Sequence, residues 1–267
     1  MLLAILALGT ARLYAAEAYA VAAWDSYDAN RRLGLTFYYD NNRSSHENAI
    51  GEYVFSLNSG SDKPEWILDR PGLNPNDISY VQFDSSFANY SPTTTAHWFD
   101  HLYGLESFRG TANLNTSQTT NMSFMFYCTQ IKDLDLRWLN VSNVTDMSYM
   151  LAGCRRTQSL NISGWNTSKV TNMSYMFEGY NQPVLNLTFD TSSVTDMSYM
   201  FYRAHGLQWL TFGSDWSTAN VVNMESMFQN CESLGTLNLN NWNVSKVTNM
   251  SDMFDGCELL STLYTSG

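Results

Sequence analysis

One pattern of apolar and polar positions recurs along the second half of the chain. Its anchors are pairs of methionines three residues apart, set in versions of the phrase Thr-Asn/Asp-Met-Ser-x-Met-Phe. Six such pairs account for all but one of the 13 methionines. The first members of the pairs are Met122, Met147, Met173, Met197, Met224 and Met250, at intervals of 24 to 27 residues. A fixed period of this length predicts a solenoid of stacked supersecondary units.

Each repeat also contains a strand pattern. Upstream of the methionines lies a Leu-x-x-Leu-x-Leu phrase, as in Leu234, Leu237 and Leu239. Its last half alternates with a period of two, which predicts a short strand with one buried face. A large apolar residue follows at the eighth position before each first Met. These residues are Leu114, Leu139, Trp165, Phe189, Trp216 and Trp242.

The Met-x-x-Met-Phe segment has a different spacing. Its apolar residues fall at i, i+3 and i+4, which predicts about a turn and a half of helix. Thr171 is a candidate N-cap for such a turn, and Gly153, Gly179 and Gly256 lie where a glycine would end it. The sequence therefore predicts a repeat solenoid of the α/β type, with a short parallel strand and a short helical turn in each repeat of about 26 residues.

Four cysteines follow the methionines closely. Cys154, Cys231 and Cys257 come seven residues after the first Met of their repeats, where other copies have Tyr180 or Ala204, and Cys128 comes six after. Such variation is typical of a packed position, so we expect a core built from the methionine pairs, from Trp165, Trp216 and Trp242, and from the four cysteines. A disulfide between neighbouring repeats stays possible beside free thiols. The sequence has neither a Cys-x-x-Cys motif nor paired histidines, so it does not predict a zinc site.

The segment from Cys231 to Phe254, which reads Cys-Glu-Ser-Leu-Gly-Thr-Leu-Asn-Leu-Asn-Asn-Trp-Asn-Val-Ser-Lys-Val-Thr-Asn-Met-Ser-Asp-Met-Phe, resembles the BspA-like leucine-rich repeats of bacterial surface proteins. The resemblance covers about residues 78 to 267. Two copies depart from the phrase, because Leu151 replaces the Phe and Glu225 replaces the Ser. The resemblance implies a leucine-rich-repeat solenoid on an exported surface protein with a role in adhesion or ligand binding, and it implies no reaction.

The pattern of apolar and polar positions also divides the chain into four segments. Residues 1–17 form a signal-like apolar segment that lacks a positive start, so a first helix or strand is the alternative. Residues 18–77 predict a small β-rich module, and 78–101 form a degenerate capping repeat in which Trp98 and Phe99 replace the Met-Phe pair. Residues 102–267 are the repeats. Because the chain ends in a further strand pattern, we expect an uncapped end and a fragment of a longer protein.

The composition limits the classes of partner that the chain is expected to bind. The formal net charge is −11 and only 15% of residues are charged. Nucleic acids and anionic membranes need clustered Lys and Arg, so both are disfavoured. After the first residues no apolar stretch is long enough to cross a bilayer. Catalytic motifs and cofactor fingerprints are missing too, so we expect a non-enzyme without a cofactor or a metal.

A binding function must therefore come from side chains that point away from the core. In a strand, alternate residues face outward, and this predicts a ligand-binding face. Its candidate residues are Asp133, Asp135, Arg137, Asn161, Trp209 and Asn238. Trp209 stands out because an outward indole often anchors an interface. A second candidate surface is the series Phe124, Tyr149, Tyr175 and Tyr199, at equivalent positions near the methionines.

We therefore expect an exported, non-catalytic module of the bacterial cell surface that recognises a macromolecule of a host or a neighbouring cell through the sheet face. The residues leave open whether that ligand is an extracellular protein or a glycan. A structural stalk that presents the N-terminal module is the alternative.

Overall fold

The computed structural model describes residues 15–25, 31–47, 51–60, 62–68 and 71–265. The signal-like segment predicted at 1–17 lies almost entirely outside these residues, except that Glu17 begins the first strand. The described part is a β-solenoid of about seven turns, preceded by an N-terminal sheet. Its longest helix has five residues, so no helix there could cross a bilayer.

Strands and short helices alternate in the N-terminal part. The strands are β1 (Glu17–Trp24), β2 (Leu33–Asp40), β3 (Glu52–Ser56), β4 (Ile78–Phe83) and β5 (Ser107–Arg109), and α1 spans Arg43–Glu47. Short 3-10 helices cover Glu65–Ile67, Pro75–Asp77, Ser85–Asn89 and Thr111–Asn113. The five strands form one sheet in the order β3-β1-β2-β4-β5. Because β2 pairs with β4, the predicted β module and the predicted capping repeat share a sheet.

The repeats contribute shorter strands. These are β6 (Asp133–Asp135), β7 (Ser159–Asn161), β8 (Val184–Leu187), β9 (Trp209–Phe212), β10 (Thr236–Asn238) and β11 (Thr262–Tyr264). They lie in the predicted Leu-x-Leu phrases and pair in parallel, as the sequence indicated. However, they pair two by two, as β6-β7, β8-β9 and β10-β11. The sheet face is therefore interrupted after every second strand.

An unbroken ladder runs through the residue that precedes each first Met. Parallel bridges connect Thr94, Asn121, Asp146, Asn172, Asp196, Asn223 and Asn249 in turn. In each repeat, the Asn or Asp side chain accepts the backbone N–H two residues later, at 3.0 Å from Asn172 to Ser174. Such Asx turns explain why the repeat keeps Asn or Asp there. Asn172 thus begins the turn, and the prediction of Thr171 as an N-cap was wrong, since the Thr171 hydroxyl donates to the Thr145 carbonyl in the preceding repeat.

The predicted helical turn is a run of β-turns. In the Met147 repeat, the N–H groups of Met147, Tyr149, Leu151 and Gly153 donate to carbonyls of the next repeat, at 2.8 to 3.1 Å. Tyr149 has a φ of 57°. A right-handed helix allows neither this φ nor bonds that leave the segment. The helix prediction was therefore wrong, because this run of turns also buries the residues at i, i+3 and i+4, which are Met147, Met150 and Leu151.

Glycine has a real role at one point of this run. Gly153 has a φ of 71°, and a Cβ there would lie 2.5 Å from the Sγ of Cys128. The predicted terminal glycines thus occupy left-handed positions, although they end turns and not helices. Cys128 itself occupies the same left-handed position one repeat earlier, with a φ of 60°. This explains why its spacing differs from that of the other cysteines.

The core runs continuously through the solenoid. Met122, Met147, Met173, Met197 and Met224 are fully buried, and so is the second Met of each of these five pairs. Met253, the partner of Met250, is 6% exposed. Trp98 and Phe99 fill the equivalent positions in the degenerate repeat, where the N–H of Phe99 bonds the carbonyl of Met125 at 2.9 Å. The predicted repeat core is therefore confirmed in most of its members.

Some predicted core residues are less covered. Met250 is 44% exposed because no turn of the described chain packs over it. Trp165 is buried, whereas Trp216 and Trp242 are only partly buried at the edge of the core. Cys154 and Cys231 are buried, but Cys128 and Cys257 are half-buried. The expected place in the core is therefore wrong for Met250 and only partly right for Trp216, Trp242, Cys128 and Cys257.

Candidate ligand-binding faces

The outward positions of the strands form an exposed, mostly polar face. Asp133, Asp135, Trp209 and Asn238 are exposed, and Asn161 is half-buried. Their side chains alternate with buried leucines such as Leu134, Leu210 and Leu237, as the pleat of a strand requires. The sequence thus placed these residues correctly on one surface, although their role in binding stays a prediction.

Asp135, at the end of β6, forms an ion pair with Arg137, which lies two residues later. The guanidinium of Arg137 donates to both carboxylate oxygens of Asp135, with Nη2 to Oδ2 at 2.6 Å. These hydrogen bonds from Arg137 hold the pKa of the Asp135 carboxyl below its usual range. Because the pair is exposed, it contributes little to stability. A ligand that binds here meets a neutral, bidentate pair.

Trp209 lies in an apolar spot on this face. It is 58% exposed and pairs across β8-β9 with Val184, which is 46% exposed. The next outward positions on the two strands, Asn186 and Thr211, are polar, and the hydroxyl of Thr211 donates to the side-chain carbonyl of Asn186. An exposed indole beside an exposed valine, on a backbone fixed by strand pairing, has the composition of an interface anchor.

Each interruption of the strand pairing leaves a cavity. Cavities of about 510 and 330 Å³ lie between β5 and β6. The gap between β7 and β8 holds about 430 Å³, and that between β9 and β10 about 360 Å³. Sizes above about 300 Å³ are sufficient for a small ligand or a side chain of a partner. Sequence reasoning missed these gaps, since pairing in twos is not written in the repeat phrase.

An aromatic stack runs along a second surface. The rings of His97, Phe124, Tyr149, Tyr175 and Tyr199 follow one another at centroid distances of 4.2 to 4.5 Å, tilted by no more than 12°. Beyond Tyr199 the stack ends, where its hydroxyl donates to Glu225 at 2.8 Å. The stack residues are half-buried, apart from the buried His97. The sequence predicted the four aromatic residues of this surface but not the histidine.

Asp100 is the most buried charge near the stack. Its carboxylate bonds His97 Nδ1 at 2.7 Å, contacts His101, and lies 3.3 Å from Lys63 Nζ. Burial acts to raise the pKa of Asp100, but the His97 hydrogen bond and the His101 and Lys63 charges outweigh it, so that the pKa lies below its usual range. The carboxylate is therefore ionised at neutral pH and joins the degenerate repeat to the N-terminal module.

The cysteines show the chemistry of packed thiols. All four are free, and the Cys154 and Cys231 thiols donate to the carbonyls of Phe126 and Phe201 at 3.2 and 3.1 Å. Burial raises the pKa of the Cys154 thiol to about 12 and also raises that of Cys128. Reactive cysteines need a lowered pKa. Among the described residues, no group of three or more His, Cys, Asp or Glu side chains is placed to hold a metal ion.

Comparison with known families agrees with this architecture. The chain matches the family described as "Mycoplasma protein of unknown function, DUF285" over residues 94–208 and 181–265. These matches cover the solenoid and more than half of the chain. The protein is thus a repeat β-solenoid, and it belongs to the DUF285 family. No curated protein and no solved structure matches it.

Proposed function

We propose that the protein is a non-catalytic recognition module of a bacterial surface, which binds a macromolecule of a host or a neighbouring cell through the sheet face of the solenoid. The observation that carries the proposal is the exposed Trp209–Val184 pair on paired strands β8 and β9. A fixed backbone lowers the entropy cost of binding. The family match to mycoplasma proteins and the resemblance to BspA-like leucine-rich repeats support the surface location.

The charge supports the same class of partner. A formal net charge of −11 disfavours nucleic acid, and the face around Trp209 carries amides and hydroxyls. We propose an extracellular protein or a glycan as the ligand, with export of the chain as the corresponding location. No cofactor enters this proposal.

A binding screen tests it. Purified protein is applied to host matrix proteins and to a glycan array, beside Trp209→Ala and the control Val222→Ala. Val222 is also an exposed apolar residue, but it lies next to the bridge residue Asn223 and not on the sheet face. We expect binding that weakens in Trp209→Ala and not in Val222→Ala. Binding that both variants retain would move the site away from the sheet face.

A structural stalk is the second candidate. It is favoured by the pairing of β2 with β4, which joins the N-terminal module to the repeats through one sheet. In such a stalk the solenoid sets the position of the module and has no ligand of its own. Absence of any partner in both screens would support this role.

A further inference from the structure

We infer that the cleft between β9 and β10 binds a neutral saccharide. This inference rests on the proposed recognition function and gives it a ligand class and a second site, separate from Trp209. The cleft holds about 360 Å³ and opens where the two strands fail to pair. Strand edges that lack a neighbour present backbone donors and acceptors, so this gap offers polar groups beside an apolar floor.

Three aromatic rings form that floor. Phe212 and Trp216 lie 4.5 Å apart, Phe212 and Trp242 5.4 Å apart, and the two indoles 6.3 Å apart, as measured between ring centroids. The β7-β8 cavity is lined by Leu160, Ile162 and a single aromatic residue, and the smaller β5-β6 cavity by the two rings of Phe108 and Trp138. A pyranose ring has an apolar face of C–H groups, which packs on an aromatic ring and removes apolar surface from water.

The Trp216 indole has an unused donor. Its Nε1 is buried and has no hydrogen-bond partner among the described residues. At the same position two repeats earlier, Trp165 Nε1 donates to the carbonyl of Leu136 at 3.0 Å. The matching carbonyl for Trp216 belongs to Leu187, and it already accepts the N–H of Gly213 at 2.7 Å.

One additional residue explains the difference. Three positions separate Ile162 from Trp165, whereas four separate Phe212 from Trp216. The longer connection brings the Gly213 N–H onto the Leu187 carbonyl and leaves the indole without an acceptor. A buried donor without a partner destabilises the folded state, because it has lost its hydrogen bonds to water. A hydroxyl oxygen that enters the cleft removes this cost when a small tilt of the ring exposes the N–H.

The rim selects a neutral ligand. It carries the side chains of Thr211, Ser214, Asn238, Asn240 and Asn241, and no described residue that lines the cleft is charged. By contrast, the cavity of about 510 Å³ between β5 and β6 is lined by Glu106, Lys132, Asp133 and Arg156. Amides and hydroxyls both donate and accept, which matches a ligand with many hydroxyls and no charge.

The test uses the full chain on an array of neutral and acidic oligosaccharides, together with immobilised matrix proteins. Three variants are compared with the wild type. Trp216→Phe removes a buried donor that has no protein partner, which offsets the packing lost with the smaller ring, so we expect little change in stability. Saccharide binding should weaken roughly tenfold, the effect of one hydrogen bond. Asn240→Ala changes an exposed rim residue and should weaken binding without affecting the fold. Trp165→Phe, the matched control, should lower stability and leave binding intact.

The outcomes separate this site from the proposed function. Binding of a neutral saccharide that weakens in Trp216→Phe and Asn240→Ala supports the cleft. Saccharide binding that neither variant changes overturns it, as does binding restricted to acidic saccharides. Matrix-protein binding that depends on Trp209, with no saccharide bound, overturns the cleft and leaves the proposed function standing. If the protein binds neither the saccharides of the array nor the matrix proteins, both proposals fail.

Discussion

The ring of Tyr175 lies parallel to that of Tyr149, with centroids 4.2 Å apart and an angle of 8° between the planes. Tyr175 also stacks on Tyr199 at 4.5 Å, so that it occupies the middle of the series. Both contacts depend on a left-handed backbone at each ring, where φ is 57° to 58°. Side chains at such positions point along one line from turn to turn, and stacking compensates for the backbone strain.

Replacement of the central ring tests its contribution to stability. Tyr175→Ala loses two ring pairs, each worth about 0.5–1.5 kcal/mol. We therefore expect the free energy of unfolding to fall by about 1–3 kcal/mol, as measured by urea titration. Tyr175→Phe is the control and should stay near the wild type, because Phe124 already occupies an equivalent position. Equal losses in both variants would assign the effect to the hydroxyl and not to stacking.

Trp209 is expected to matter for binding and not for folding. Because its side chain is largely exposed, Trp209→Ala should change the melting temperature little. For any partner that binds the sheet face, we expect the affinity to fall by ~2 kcal/mol. Calorimetry with the first partner found on the arrays measures both effects. An unchanged affinity would direct attention to the aromatic stack or to the N-terminal module.

Cys154 should tolerate loss of its sulfur. Ala204 occupies the same position two repeats later, so Cys154→Ala should keep the fold and cost about 1 kcal/mol for the lost packing. The raised pKa of the Cys154 thiol also predicts slow alkylation at pH 8. The half-buried Cys257, whose pKa is lowered by its hydrogen bond with Cys231, should react first. Mass spectrometry gives the order, and an early reaction at Cys154 would contradict this packing.

Acid should loosen the join between the N-terminal module and the repeats. The folded-state pKa of Asp100 is lowered, so its stabilising effect is present above the unfolded value of ~3.9 and is lost as the pH falls through the folded value. At pH 7, Asp100→Asn should cost roughly 1–3 kcal/mol. The difference from the wild type should shrink toward pH 2.5.

The control for this acid effect is Asp135→Asn. Asp135 also has a lowered pKa, but it is exposed, so its loss should change stability little. Urea midpoints for the three proteins between pH 7 and pH 2.5 give the comparison. A cost of Asp100→Asn that stays constant over this range would show that the carboxylate charge is not the cause.

Much of the fold could be predicted from the repeat. The interval between Met173 and Met197 gave the period, and the alternation at Leu237 and Leu239 gave the strand and its buried face. The turn segment could not be predicted from spacing, because a helix and a run of turns place Met173 and Met176 on the same side. The difference lies in the left-handed backbone at Tyr175, which a tyrosine does not signal as a glycine would.

The sites were predictable only in part. Outward positions such as Asn238 follow from the pleat, and the structure places them on one face. The cleft at Trp216 depends on which strands pair and on one additional residue after Phe212. The sequence does show the additional residue, since four positions separate Phe212 from Trp216, whereas three separate Ile162 from Trp165. The pairing in twos depends on contacts among several turns, and no single repeat records it.

The direction of the bonds between turns has a mechanical consequence. The N–H groups of Met147, Tyr149, Leu151 and Gly153 point along the solenoid axis to the next turn. When the chain is pulled along that axis, the bonds within one turn share the load in parallel, while successive turns carry it in series. The interface with the fewest bonds then yields first. Because β7 and β8, like β9 and β10, lack strand pairing, rupture should begin at these interfaces and release the solenoid in blocks of two turns.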